Sequence, residues 1–145
     1  MFSSEGQKDS FAFIRETGEF VCNLATWDLR EAMNRTSAPM PRGVDEMKDA
    51  GLAAAPSRIV RPPRVAASPC ALECVLLQIL PLADIDGRDL DTHVVFGQVV
   101  GVHIDDRFIR DGRLDTAAMK PIARNGYRNY AVVESEFQMV RSSTP

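Results

Sequence analysis

The stretch MFSSEGQKDSFAFIRETGEFVCNL, residues 1–24, decides the fold prediction for this chain. It opens with small polar residues, which predict a short loop. Phe11 and Ile14 follow three residues apart, on one face of a predicted helix. Gly18 stands where a helix commonly ends, and residues 19–24 form the apolar run of a buried strand. We therefore predict a loop, a helix and a strand in this order.

The start of this predicted helix has the composition of an anion site. Free backbone N–H groups and the positive end of the helix dipole favour negative charge, and a lysine adds a further positive charge. The polar residues at this point are Ser3, Ser4, Lys8, Asp9 and Ser10. A phosphate group suits this set. An ordinary helix cap with a solvated lysine has the same local pattern, so both interpretations stay open at this point.

The bulk composition narrows the class of protein. A length of 145 residues predicts one domain, and a net charge of −3 with both signs interspersed argues against nucleic-acid binding. No apolar run approaches the ~20 residues that span a bilayer. The first residues do not have the pattern of a secretory leader, so we predict a cytoplasmic protein that does not bind membranes.

The titratable and sulfur-bearing residues do not form a recognisable reactive site. The cysteines are Cys22, Cys70 and Cys74, and the histidines are His93 and His103. Their spacing predicts free thiols and no metal site. Carboxylate pairs, a serine elbow and a Cys/His pair are missing from the sequence, as is the Gly-x-Gly-x-x-Gly fingerprint, so we predict no catalytic residue.

Two long strand patterns dominate the middle of the chain. Residues 71–82 alternate between apolar and other side chains, and residues 93–104 form a second strand that contains Gly97 and Gly101. Glycine inside a strand often marks a bend, a bulge or a close approach by backbone or by a ligand. The acidic segment 84–89, with its Asp-Gly pair, predicts the turn of a hairpin. A mostly β chain with a small antiparallel barrel follows.

The remaining segments connect these strands. Helix patterns occupy residues 26–34, with Thr26 as the cap, and residues 44–50. The proline-rich segment 52–68 is predicted to be extended. A last helix pattern covers residues 115–123.

A loop near the end of the chain carries arginine and tyrosine. It spans residues 123–130 and contains Arg124, Gly126 and Tyr127. We predict a single domain over residues 1–133, followed by a polar and frayed tail over residues 134–145.

The short motifs of the chain occur in a recognisable order. They are Ser-Ser at 3–4, Lys-Asp-Ser at 8–10, Thr-Gly-Glu-Phe-Val-Cys-Asn-Leu at 17–24, Ala-Met-Asn at 32–34, Gly-Val-Asp-Glu-Met at 43–47, Leu-Glu-Cys at 72–74, Phe-Gly-Gln-Val-Val-Gly-Val-His-Ile at 96–104 and Ala-Arg-Asn-Gly-Tyr at 123–127. This ordered set, over residues 2–130, resembles the flavin reductase-like family with the FMN-binding split-barrel fold. The resemblance implies a homodimer that binds FMN near the subunit interface. It also implies an oxidoreductase that takes electrons from NAD(P)H and passes them to a small-molecule acceptor.

The resemblance also implies roles for individual residues at the phosphate end. The segment Lys8-Asp9-Ser10 corresponds to the family's phosphate-side segment, with a serine where the family usually has threonine. Ser3 and Ser4 would donate to the phosphate or the ribityl chain, and Lys8 would neutralise the phosphate.

The second implied contact region lies near the end of the chain. Arg124, Gly126 and Tyr127 resemble the family's C-terminal flavin-contacting loop, with a solvated turn as the alternative. Asn34 and His103 recur in the family pattern. Asn34 is equally suited to pinning its helix, and a histidine such as His103 is more often an interior residue than a ligand.

The start of the chain departs from the family pattern. Family members begin with several more strands, which carry a Pro-Phe-Ser-type segment that wraps the flavin ring. This chain begins just before the phosphate segment, so we expect those strands to be missing and sheet edges to be unpaired.

Three functions remain open from the sequence. The first is an FMN-dependent oxidoreductase, in which the flavin carries the hydride chemistry. The second is a flavin-binding module without turnover. The third is a non-catalytic remnant or interaction protein.

Overall fold

The computed structural model describes residues 1–141 as ten strands, four α helices and one 3₁₀ turn. In chain order the elements are β1 (Phe2–Glu5), α1 (Asp9–Thr17), β2 (Glu19–Asn23), α2 (Arg30–Arg35), α3 (Glu46–Asp49), β3 (Ala54–Ala55), β4 (Arg64–Val65), β5 (Cys70–Ala83), β6 (Asp89–Ile104), the 3₁₀ turn (Asp106–Phe108), β7 (Ile109–Arg110), β8 (Arg113–Leu114), α4 (Thr116–Met119), β9 (Ile122–Arg124) and β10 (Tyr130–Val132). The prediction of a mostly β chain is confirmed.

A four-stranded antiparallel sheet in the order β1-β6-β5-β2 is the centre of the fold. The edge strands β1 and β2 approach each other. The rings of Phe2 in β1 and Phe20 in β2 are 5.7 Å apart in an edge-to-face contact. The sheet is therefore curled into an incomplete barrel. Both outer strands have only one neighbour within this sheet.

The hairpin of β5 and β6 confirms the two predicted long strands, and both are longer than predicted. Its turn is held by the Asp84 carboxylate, which accepts hydrogen bonds from the backbone N–H groups of Asp86 and Arg88. The register shifts between Glu73 and Cys74, between Leu76 and Gln78, and between Leu82 and Ala83. Such bulges increase the local twist, which helps a long hairpin to curl.

The core lies between α1 and the sheet. Phe11 and Ile14 of α1 pack with Phe20, Cys74 and Val95, which confirms the apolar face predicted for this helix. The helix ends at Gly18, which has a φ of 72° and donates its N–H to the Ile14 carbonyl, as a C-terminal glycine does.

The group that closely approaches Gly97 is a side chain, and not backbone or a ligand as the sequence pattern suggested. The Phe20 ring lies where a side chain at Gly97 would begin, so any Cβ would collide with the ring. A side chain at Gly101 would also be crowded, but less severely. An added Cβ would be 3.3 Å from side-chain carbons of Glu73 and Ile59.

The structure corrects the predicted loop at the start of the chain. Ser3 and Ser4 belong to β1, which pairs with β6 through Ser3 opposite Val94 and Ser4 opposite His93. Only the following Gly6 and Gln7 lie in a turn. Serine has a weak strand preference, and here the pairing with β6 overrides it.

Two helix predictions also need correction. The predicted helix over residues 115–123 is reduced to α4, because Pro121 has no N–H and disfavours helical conformation at Lys120, whose φ is 48°. Thr26 does not cap α2. It is buried and bridges to Pro121, and the helix begins at Arg30.

The end of the described chain contains no regular structure after β10. Residues 142–145 of the predicted tail lie outside the described residues. Within residues 1–141 no helix is long and apolar enough to cross a membrane, and no group of three or more metal-ligating side chains is present.

Candidate functional site

The N terminus of α1 is open toward solvent. Lys8 is the N-cap residue in an extended conformation, and its side chain makes no capping hydrogen bond. The first hydrogen bond of the helix runs from the Ala12 N–H to the Lys8 carbonyl, 3.0 Å, so the N–H groups of Asp9, Ser10 and Phe11 have no partner within the helix. These groups and the helix dipole favour a bound anion.

Charges of both signs surround this helix terminus, because the Asp91 carboxylate lies close to Gly6 in the turn before the helix. The side chains of Lys8 and Ser10 are exposed. Asp9 is half-buried, and its carboxylate is 4.0 Å from the Arg42 guanidinium. Lys8 has no salt bridge within residues 1–141. One aspartate is therefore offset by one arginine, and the lysine charge remains available for a ligand.

The two predicted serines face opposite sides of β1. Ser3 is exposed, whereas Ser4 is buried with its Oγ unpartnered. Directly across the sheet lies His93, whose Nδ1 is also buried and without a partner. The His93 ring stacks against Phe11 at 4.6 Å. The Ser4 hydroxyl therefore lies on the core side of the strand, whereas the side chain of Lys8 is exposed.

The second predicted region is the exposed hairpin of β9 and β10. Arg124 donates to the Tyr130 hydroxyl at 3.0 Å and to the Tyr127 carbonyl at 3.2 Å, so it ties the two sides of the turn together. Tyr127 has a φ of 60° and its side chain is 95% exposed. Gly126 has open space where a Cβ would lie. Two of the three predicted residues thus contact each other.

Two cavities bear on the candidate site, and the larger of this pair follows the edge strand β2. It has a volume of about 690 Å³ and a mainly apolar lining. It extends from Ser10 and Phe13 of α1 along β2 to Met33 of α2 and Met47 of α3. Of the predicted site residues only Ser10 lines it. Its apolar walls suit an apolar group and not a phosphate.

The smaller cavity was missed by the sequence analysis. It has a volume of about 260 Å³ and lies between the start of α2 and the β9–β10 hairpin. Trp27, Arg30 and Asn34 form one side, and Arg128 and Tyr130 form the other. The sequence did contain an indication of this cleft, because arginine and tyrosine cluster after Arg124. Two members of that cluster, Arg128 and Tyr130, line the cleft. Neither cavity joins the α1 terminus to Arg124, Gly126 or Tyr127.

A buried carboxylate was also missed. Glu73 is fully buried and accepts hydrogen bonds from the backbone N–H groups of Arg58, Ile59 and Val60. The Nε2 atom of His103 lies 2.5 Å from the same carboxylate. Burial by itself raises the pKa of Glu73, but the hydrogen bonds from Arg58, His103, Val60 and Ile59 outweigh it and lower the pKa to about 2. His103 is therefore held in the interior by Glu73.

The thiols of Cys70 and Cys74 are not activated. Burial raises the pKa of Cys70, and it raises the pKa of Cys74 to about 11. A thiol with a raised pKa is a poor nucleophile at neutral pH.

Comparison with known proteins shows which family the chain belongs to. The family model for the flavin reductase like domain matches residues 1–117. An uncharacterized protein of Deinococcus radiodurans is 35% identical over 138 residues, which cover 92% of this chain and 58% of that protein. The chain therefore spans less than two thirds of the length of this relative.

Solved structures show the same fold. Nitrilotriacetate monooxygenase component B from Bacillus cereus is 28% identical, with a TM-score of 0.86 over 94% of this chain and 69% of that one. A split barrel domain from Shewanella frigidimarina is 25% identical, with a TM-score of 0.80 over 92% of this chain and 65% of that one. These matches confirm the split-barrel prediction, and the chain belongs to the flavin reductase-like domain family.

Proposed function

We propose that this chain binds FMN through the N terminus of α1 and takes part in an NAD(P)H-dependent oxidoreductase reaction that reduces a small-molecule acceptor. The observation that carries the proposal is the open helix terminus with its unpaired lysine, Lys8, in a chain of a flavin reductase-like family. A phosphate is the part of FMN that such a terminus recognises.

The residues at this terminus fit a phosphate group. The free N–H groups of Asp9, Ser10 and Phe11 act as donors, the Ser10 hydroxyl is exposed, and Lys8 supplies a positive charge. Ser3 is the accessible hydroxyl on the neighbouring strand, whereas Ser4 is turned inward. When bound, the flavin supplies hydride and electron transfer, and the role of these residues is to bind and orient it.

The strength of these contacts sets an expectation for affinity. A helix terminus contributes about 0.3–1 kcal/mol to anion binding, and a charge-assisted hydrogen bond contributes about 1.5–3 kcal/mol. Micromolar binding requires about 8 kcal/mol. The phosphate contacts therefore account for part of the affinity, and contacts to the rest of the flavin must supply the remainder. We propose that Arg124, Gly126 and Tyr127 contribute there, as the family resemblance implies.

We further propose a homodimer. Leu72 and Val102 form a cross-strand pair between β5 and β6, and Cys70 with Ile104, two positions along, forms the next pair on the same face of the sheet. Leu72, Val102 and Ile104 are exposed, with Val102 at 59%. Adjacent exposed apolar side chains on a sheet favour association, and a second copy of the chain is the partner that the family resemblance implies.

A titration of the full chain with FMN and with riboflavin tests the proposed binding. We expect saturable quenching of flavin fluorescence and tighter binding of FMN, because only FMN carries the phosphate. Equal affinity for the two flavins would contradict the phosphate site.

Oxidation of NADH or NADPH with added flavin and an electron acceptor then tests turnover. Flavin binding without oxidation of either nucleotide would instead indicate a flavin-binding module.

A further inference from the structure

The walls of the smaller cavity come from two distant parts of the chain that are joined by main-chain hydrogen bonds. The Trp27 N–H donates to the Lys120 carbonyl at 2.9 Å, and the Ile122 N–H donates to the Ala25 carbonyl at 3.1 Å. Thr26 and Pro121 form a bridge between these two bonds. The main chain therefore joins the segment before α2 to the segment before β9, so the cleft exists before any ligand arrives.

The walls of this cleft carry hydrogen-bond donors that are not used within the described chain. Arg128 has no salt bridge or hydrogen bond there, and the Asn34 side-chain amide has none. The Tyr130 hydroxyl accepts from Arg124, so its own proton remains free to donate. Three polar groups of the cleft thus remain available to bind an acceptor on a ligand.

The charge of the cleft favours an anion. Its ionisable residues are Arg30, Glu31 and Arg128. Arg30 stacks over the Trp27 ring at 3.9 Å, donates to the Trp27 carbonyl at 2.7 Å and lies 3.4 Å from the Glu31 carboxylate. The single acidic residue is therefore paired with Arg30, and the charge of Arg128 remains uncompensated.

The rest of the lining is aromatic or apolar. Trp27 is 42% exposed, and Ile122, Tyr130 and Val132 complete the wall on the hairpin side. A volume of about 260 Å³ is below the range of about 300–1,000 Å³ that is usual for drug-sized ligands. The cleft is accordingly too small for a whole flavin or dinucleotide and has the size for one substituted ring.

We propose that this cleft is a binding site for a small aromatic carboxylate. The carboxylate pairs with Arg128 and accepts from the Tyr130 hydroxyl, and the ring packs against Trp27, Ile122 and Val132. Guanidinium groups bind carboxylates strongly and stack well on aromatic rings, so one cleft serves both parts of the ligand. The site is separate from the α1 terminus, and Arg124 adjoins it through its hydrogen bond to the Tyr130 hydroxyl.

The only tryptophan of the chain, Trp27, makes this proposal directly measurable. We would titrate the full chain with benzoate in the absence of flavin and follow tryptophan fluorescence. The comparison ligands are benzamide, which has the ring without the charge, and cyclohexanecarboxylate, which has the charge without the aromatic ring. We expect a saturable change with benzoate and weaker binding of both comparison ligands. The absence of a saturable change, or equal binding of benzamide, would overturn the proposal.

Variants assign the signal to the cleft. Arg128→Gln and Tyr130→Phe should each weaken benzoate binding, the former by about tenfold or more because a charged hydrogen-bond partner is lost. Arg113→Gln, at an exposed arginine of β8, is the matched control and should leave binding unchanged. An equal loss in Arg113→Gln would indicate nonspecific charge attraction and overturn the assignment.

Folding and nucleotide binding are checked in the same series. Circular dichroism must show native secondary structure in each variant. If Arg128→Gln fails to fold, Tyr130→Phe still tests the site, because it keeps the aromatic ring and removes only the hydroxyl. ADP is added as a competitor of benzoate. If ADP displaces benzoate at a lower concentration than benzoate analogues do, the cleft is a nucleotide site and the carboxylate assignment is overturned. The tryptophan signal requires no flavin, so its failure and a failure of FMN binding are distinguishable.

Discussion

The imidazole Nε2 of His103 lies 2.5 Å from a carboxylate oxygen of Glu73, which is fully buried. The same carboxylate accepts the N–H groups of residues 58–60, so one side chain of β5 joins β6 to the proline-rich segment that precedes the strand. A buried carboxylate with these partners is stable only as long as the partners remain in place.

Replacement of Glu73 should destabilise the fold. Glu73→Gln keeps the shape but removes the charge, and an amide accepts through only one of its two end atoms, so some of the N–H groups of residues 58–60 lose their acceptor. We expect a clear decrease in the midpoint of thermal unfolding. Glu136→Gln, at an exposed position, is the control and should change the midpoint little. A similar midpoint for both variants would contradict the role assigned to Glu73.

The stability should fall in acid because of the same residue. The pKa of Glu73 is lowered from 4.5 to about 2 in the folded chain, so the unfolded chain binds more protons between these values. The stabilisation is therefore present above pH 4.5 and is lost as the pH falls toward 2. Denaturant unfolding at several pH values should show a steeper loss in the wild type than in Glu73→Gln. Parallel pH profiles would show that Glu73 does not carry this effect.

Gly97→Ala should be destabilising because the Phe20 ring occupies the place of the new Cβ. Overpacking of this kind costs about 1–3 kcal/mol, which chemical denaturation can measure. Gly126→Ala is a suitable control for stability, because nothing lies within 4 Å of its added Cβ. An equally stable Gly97→Ala chain would mean that the Phe20 ring moves aside without cost.

Lys8→Ala should weaken FMN binding by about tenfold and riboflavin binding much less, because only FMN presents a phosphate to this charge. Lys48→Ala, at an exposed lysine of α3, is the control. Flavin fluorescence measures all six affinities, which are those of the wild type and the two variants for each flavin. Equal losses for the two flavins in Lys8→Ala would argue against a phosphate at the N terminus of α1.

Val102→Asp should prevent the proposed association of two chains, because it places a charge among the exposed apolar side chains of β5 and β6. Gel filtration with light scattering should show a dimer for the wild type and a monomer for this variant. Val44→Asp adds the same charge at an exposed valine outside the sheet and should remain dimeric. A monomeric wild type would contradict the proposal.

The sequence by itself determined the elements whose pattern is local. The spacing of Phe11 and Ile14 predicted the buried face of α1, and Gly18 marked its end. The alternation in residues 71–82 and 93–104 predicted the long hairpin. Such patterns are readable because each residue faces the core or solvent at a fixed interval along its own helix or strand.

The tertiary structure alone decided the features that depend on pairing between distant residues. Ser3 and Ser4 form a strand because β6 offers a partner, and Glu73 is buried because residues 58–60 and His103 converge on it. The cleft between Trp27 and Tyr130 exists because main-chain bonds join segments about a hundred residues apart. These contacts depend on the register between paired strands and on the closure of long loops. Neither produces a periodic pattern in the residues next to it in the sequence, so neither could be predicted from it.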